Sequence, residues 1–155
     1  MHTLFLQQAI DLACENVKTR QGGPFGAVIV KHGQVIATGV NQVTTLLDPT
    51  AHAEIQAIRT ACQVLSDFQL IDCVLYSSCE PCPMCLGAIY WARLNTVYFA
   101  CNRHDAMTAG FDDSFIYDDF ALPLEQRRMA MQQIQLINAL QPFEIWTQQI
   151  NKTLY

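Results

Sequence analysis

Three side chains that bind soft cations, His52, Cys82 and Cys85, constrain this chain more than any other feature. They stand in two short segments, Thr50-Ala51-His52-Ala53-Glu54 and Glu80-Pro81-Cys82-Pro83-Met84-Cys85. Cys82 and Cys85 are three apart, so on a helix both thiols share one face. A helix N-terminus also favours thiolate, the form that binds metal. His52 and Glu54 are two apart, which in mid-helix would aim them to opposite sides. They can serve one centre only in a first turn, where the entering chain is not yet helical. Asp48-Pro49-Thr50 supplies that entry, and Asp48 or Thr50 is a candidate cap for a helix running from about Ala51 to Leu65. The fold must therefore bring two helix starts face to face.

One imidazole and two thiolates leave a tetrahedral zinc with one open position for water. Iron could occupy similar ligands, but the donor set suits zinc. H-x-E followed by P-C-x-x-C is the signature of zinc-dependent deaminases that hydrolyse amino groups off nucleobases. Zinc held this way would lower the pKa of a bound water from 15.7 to about 7. Glu54, outside the ligand set, would take the water's proton and pass it to a ring nitrogen. A C-x-x-C alone would equally suit a structural zinc corner or a redox pair, with Cys62, Cys73, Cys79 or Cys101 closing a four-ligand site. The upstream H-x-E and the proline before Cys82 weigh against that, and the spare cysteines read as small core residues. His2, His32 and His104 read as surface or loop histidines.

With 155 residues, 51% hydrophobic and 15% charged, the chain suits one domain with a real core. The N-terminus, Met1 to Lys18, is too polar for a secretory signal, and the longest apolar stretch, Leu86 to Ala92, is far short of a membrane span. Seven cysteines without an export signal predict reduced thiols and a cytoplasmic home. A net charge of −5 with no Lys/Arg cluster argues against nucleic acid as the main partner.

Apolar residues at Leu4, Leu6, Ala9, Ile10, Ala13 and Val17 predict a helix over Thr3 to Val17 with that stripe buried. Phe25 to Val30 and Val35 to Val40 read as a hairpin around Lys31-His32-Gly33-Gln34. Cys73 to Ser78 is a short strand, Pro81 and Pro83 open a helix carrying Met84 to Arg93, and Thr96 to Cys101 is another strand. Strands alternating with helices predict an α/β layered sheet. Beyond Asn102, Gly110 to Phe115 reads as a loop or short turn, and helices are expected over Leu124 to Leu136 and Pro142 to Asn151.

The segments Gly22-Gly23-Pro24-Phe25-Gly26-Ala27-Val28, Asp48 to Glu54 and Ser78 to Cys85 resemble the cytidine deaminase-like superfamily. Leu86 to Arg93 and Ala109-Gly110-Phe111-Asp112-Asp113-Ser114-Phe115-Ile116-Tyr117 resemble, more narrowly, the small zinc-dependent guanine deaminases of bacteria. The likeness runs to the terminal Asn151-Lys152-Thr153-Leu154-Tyr155. It implies a three-layer α/β/α sandwich around a mixed five-stranded sheet, one zinc per subunit, and conversion of guanine to xanthine and ammonia. It also implies a homodimer whose C-terminal segments, about 140–155, are exchanged, so that Tyr155 closes the partner's site. Asn41 would then hydrogen-bond the purine edge, Phe25 would lie against the ring, and the backbone at Ala53 would touch substrate. A small residue at 53 would equally reflect tight helix packing. Asp113 would be a second catalytic carboxylate beside Glu54. The adjacent Asp112 competes for that role, and without the resemblance both aspartates read as a solvated turn. Trp91, Phe111 and Phe115 read as core or interface aromatics.

Three rivals stay open. A tRNA adenosine deaminase must hold a polyanion and flip its base, which the acidic balance disfavours. A deaminase of cytosine or an aminotriazine would differ by a few pocket side chains. A structural zinc module would have no need of Glu54.

Overall fold

The computed structural model describes residues 1–155, whose backbone clusters into two compact units, 1–114 and 115–155. The first unit carries helices α1 (His2–Lys18), α2 (Val43–Leu46), α3 (Ala53–Leu65), α4 (Pro83–Trp91) and α5 (Arg103–Thr108), with strands β1 (Gly26–Lys31), β2 (Gln34–Val40), β3 (Cys73–Cys79) and β4 (Thr96–Cys101). The sheet order is β2-β1-β3-β4. β1 pairs antiparallel with both neighbours, and β3 pairs parallel with β4.

The hairpin turns on His32 and Gly33, with φ of 50° and 79°. Positive φ at both central residues is what a two-residue turn needs to match the twist of its strands. Alternate residues of β1 feed two cores. Ala27 and Ile29 pack with Ala53, Ala57 and Ala61 of α3 and Ile89 of α4. Val28 and Val30 pack with Phe5 and Ala9 of α1 and with Tyr76. A strand buried on both faces reads as a continuous apolar run, and it forms the middle layer of an α/β/α sandwich.

The helices sit close to the sheet because small residues meet. A Cβ at Gly26 would lie 2.4 Å from the Ala9 carbonyl oxygen, and one at Gly39 would lie 2.2 Å from that of Ala53. This close seating corrects the stripe expected on α1. Its buried residues are Phe5, Ala9, Ala13 and Asn16, while Leu4 and Val17 are exposed. Alanines give the backbone its close approach, Leu6 and Leu12 pack at the edge of that core, and Leu4 and Val17 turn outward.

The sheet has four strands, not the five expected. The helix expected over Leu124 to Leu136 is also absent. A 3-10 turn covers Leu124–Gln126, and residues 130–136 run without regular structure or a ladder partner. Gln, Met and Leu favour helix locally, but this stretch alternates Gln with Ile and Leu, and no helical face is buried. The second unit also holds most of α6 (Ser114–Phe120) and all of α7 (Gln141–Gln148). None of its residues is buried. No helix of the chain is long and apolar enough to cross a membrane.

Candidate active site

His52 is the N-cap residue of α3, in extended backbone with φ −72° and ψ 159°. Cys82 is the N-cap of α4, with φ −66° and ψ 168°, and Pro83 opens the helix behind it. An extended N-cap lets the side chain leave along the helix start rather than around its barrel. His52 and Glu54 therefore share a centre although they are two apart. Neither Asp48 nor Thr50 caps α3. Asp48 Oδ1 instead accepts from the Thr50 amide at 2.8 Å and the Thr50 hydroxyl at 2.7 Å, shaping the entry loop.

The two helix starts bring three ligand atoms together. His52 Nδ1 lies 3.5 Å from Cys82 Sγ and 3.5 Å from Cys85 Sγ. All three donor atoms fall within 4.8 Å of one another. Cys62, Cys73, Cys79 and Cys101 stand outside this group, so the site is a three-ligand one. One imidazole and two thiols within this span fit a tetrahedral zinc with one position left open.

Electrostatics fit the same purpose. Hydrogen bonding from the Cys85 thiol, then from His52, lowers Cys82 to about 4 against the opposing effect of burial. Cys85 is raised, by its hydrogen bond to Cys82 and by burial. His52 is raised, chiefly by its hydrogen bond with Cys82. Glu54 is 6% exposed, and burial pushes its carboxyl up. Its Oε2 accepts from Cys85 Sγ at 3.5 Å.

These groups open into a cavity of about 630 Å³. Phe25, Asn41, His52, Glu54, Cys82 and Asp113 all line it, so six of the residues singled out from the sequence converge. Cys85 lies behind them, fully buried. Ala53 is also fully buried, packed in the core with Ala27, Ile29 and Ala57, and its carbonyl oxygen is set against Gly39. Tyr155 belongs to the second unit and is 73% exposed.

Asp112 and Asp113 both line the cavity but differ in surroundings. Asp112 Oδ1 accepts the Ser114 amide at 2.9 Å, and bonding to Ser114 lowers its pKa. Asp113 is partly buried, and desolvation, followed by the charge of Cys82, raises it.

Phe111 was not foreseen as a site residue. Its ring meets Phe25 edge to face, with centroids 4.9 Å apart at 87°, and it lines the cavity. Arg20 and Arg103 also line it. Only the position of Phe111 beside the two aspartates hinted at this, and Arg20 carried no signal in the sequence.

Residues 1–101 match the family model described as the cytidine and deoxycytidylate deaminase zinc-binding region. Guanine deaminase of Bacillus subtilis (strain 168) is 57% identical over 154 residues, covering 99% of each chain. The crystal structure of guanine deaminase from Bacillus subtilis superposes with a TM-score of 0.98, covering 100% of this chain and 99% of that one. The tRNA-specific adenosine deaminase of Aquifex aeolicus is 42% identical over 91 residues, covering 57% of this chain and 60% of that one. Guanine deaminase from Nitrosomonas europaea superposes with a TM-score of 0.67 at 33% identity, over 70% of this chain and 63% of that one. With its His52, Cys82 and Cys85 group, the buried Glu54 beside it and the matched zinc-binding region in place, this chain belongs to the cytidine and deoxycytidylate deaminase family.

Proposed function

We propose that the protein hydrolyses guanine to xanthine and ammonia. The observation that carries this reading lies outside the zinc-binding region. The likeness to the Bacillus subtilis enzyme continues over 99% of the chain, past Cys101 and through Asp113 to the C-terminus. The likeness to the Aquifex aeolicus tRNA deaminase spans 57% of the chain.

His52, Cys82 and Cys85 would hold the zinc, which when bound would supply an activated water at neutral pH. Glu54 is the proton carrier. Burial raises its affinity for a proton, so it can take one from water and deliver it to a ring nitrogen of the purine. Asp113 is the second carboxylate, facing the amine that leaves. Burial raises the Asp113 carboxyl, whereas Asp112 is engaged by the Ser114 amide. Two carboxylates in different environments divide acid from base work. Phe25, braced by Phe111, offers a flat apolar wall to the ring, and Asn41 reads the purine edge. The backbone at Ala53, between metal ligand and proton carrier, is a further substrate contact in this reading.

The active form in this reading is a homodimer. The second unit leaves Ile134, Ile137 and Ile150 at 79%, 108% and 96% exposure. Apolar surface on this scale calls for cover, and a second copy of the chain, taking the exchanged C-terminal segment with Tyr155 over its site, would supply it. None of the seven cysteines is in a disulfide, which suits the cytoplasm.

The test is ammonia release by zinc-loaded protein offered guanine, adenine, cytosine, guanosine and unmodified tRNA separately. Release from guanine alone is expected. Faster release from tRNA, cytosine or another member would overturn the substrate assignment while keeping the chemistry.

A further inference from the structure

Asn41 is 7% exposed, and its amide has a fixed polarity. Its Oδ1 accepts the backbone amides of Gly23 at 3.2 Å and Val43 at 3.4 Å. Backbone amides only donate, so the atom they meet is the oxygen, whichever way the side-chain amide is assigned. The Nδ2 donors of Asn41 are left for the cavity, and the ligand edge they meet must carry acceptors, as the carbonyl and ring nitrogens of guanine do.

What holds this arrangement comes from the opposite layer of the sandwich. Asn16, in the last turn of α1, is 3% exposed. Its Nδ2 donates to the Asn41 carbonyl at 2.8 Å and the Gly23 carbonyl at 2.9 Å. One buried amide thus ties both the backbone that carries the Asn41 side chain and the residue that anchors its oxygen. The fit is close: a Cβ at Gly22 would lie 1.9 Å from the Asn41 carbonyl oxygen and 3.2 Å from Asn16 Nδ2. A satisfied buried amide with two short bonds is a rigid clamp.

We propose that Asn16 is a positioning residue for guanine recognition, fixing the Asn41 amide with its donors toward the cavity. This rests on the reading that Asn41 contacts the purine.

A double-mutant cycle on guanine turnover tests it, with Asn16→Ala, Asn41→Ala and the double variant assayed as zinc-loaded protein. Each single change is expected to lower kcat/KM by about tenfold or more, most of it in KM, the size of one lost hydrogen bond. The double variant is expected to match Asn41→Ala alone, because Asn16 then has no amide to position. Additive losses would overturn the proposal and leave the Asn41 contact standing. An unimpaired Asn41→Ala would overturn both. Asn16→Ser, which keeps one donor, is expected to recover part of the KM loss. Loss of zinc or of cooperative melting in both Asn16 variants would also overturn the proposal, since Asn16 would then be holding the fold.

Discussion

Glu54 and Asp113 are both carboxylates raised by burial, and the separate jobs proposed for them rest on what surrounds each. Glu54 sits beside the metal ligands with Cys85 Sγ as its donor. Glu54→Ala is expected to retain zinc and its melting transition while kcat falls by about 10³-fold, the scale of a lost general acid-base. Near-native turnover would show that another group moves the proton. Asp113→Asn is expected to lower kcat by about 10²-fold. Asp112→Asn keeps an acceptor for the Ser114 amide and is expected to stay within about twofold of the parent. Steady-state kinetics on the pair decide, and a larger loss at Asp112 would reassign the role. His52, Glu54, Cys82 and Cys85 were legible because ligand spacing is a local property. Asn16 and Phe111 were not. A polar residue on a helix ordinarily faces water, and an aromatic ordinarily packs in a core, until the chain has folded around them.

At the scale of elements, the site depends on how α3 is seated. Gly39 of β2 faces the Ala53 carbonyl, one residue beyond His52 and one before Glu54. Gly39→Ala would place a methyl carbon 2.2 Å from that oxygen and 2.5 Å from the Ala57 nitrogen. Both obstacles are backbone, so α3 must move. Overpacking of this kind costs about 1–3 kcal/mol, and the shift displaces His52 and Glu54 together. We expect a lower Tm and weaker zinc retention on titration with a chelator. Unchanged retention would mean that the helix absorbs the methyl group elsewhere. The hairpin, the strands and the starts of α3 and α4 were legible from alternation, turn residues and proline. The facing of α1 was not, because closeness of backbones chose the small residues Ala9 and Ala13 over the bulkier Leu4 and Val17.

For the whole molecule, the C-terminal unit poses the main question. Its apolar side chains are exposed along its length, from Phe120 at 62% to Ile150 at 96%. If the exchanged dimer is correct, a chain lacking Leu154 and Tyr155 and a Glu54→Ala chain are each nearly inactive alone. Co-expressed, they complement. Half of the mixed dimer's sites then join an intact Glu54 to an intact partner tail. Activity well above the sum of the two homodimers is expected, with light scattering reporting two chains per particle. No gain on mixing would place Tyr155 outside the partner's site.

The His52, Cys82 and Cys85 group with Glu54 beside it, the alternation of strands and helices, and the family were determined by the sequence by itself, because each is written in short motifs of residues near one another along the chain. Only the tertiary structure decided which face of α1 is buried, that four strands form the sheet, that residues 130–136 stay out of any helix, and that Asn16 reaches Asn41. Those outcomes depend on which surfaces meet after the chain closes, where backbone closeness and burial outweigh local propensity.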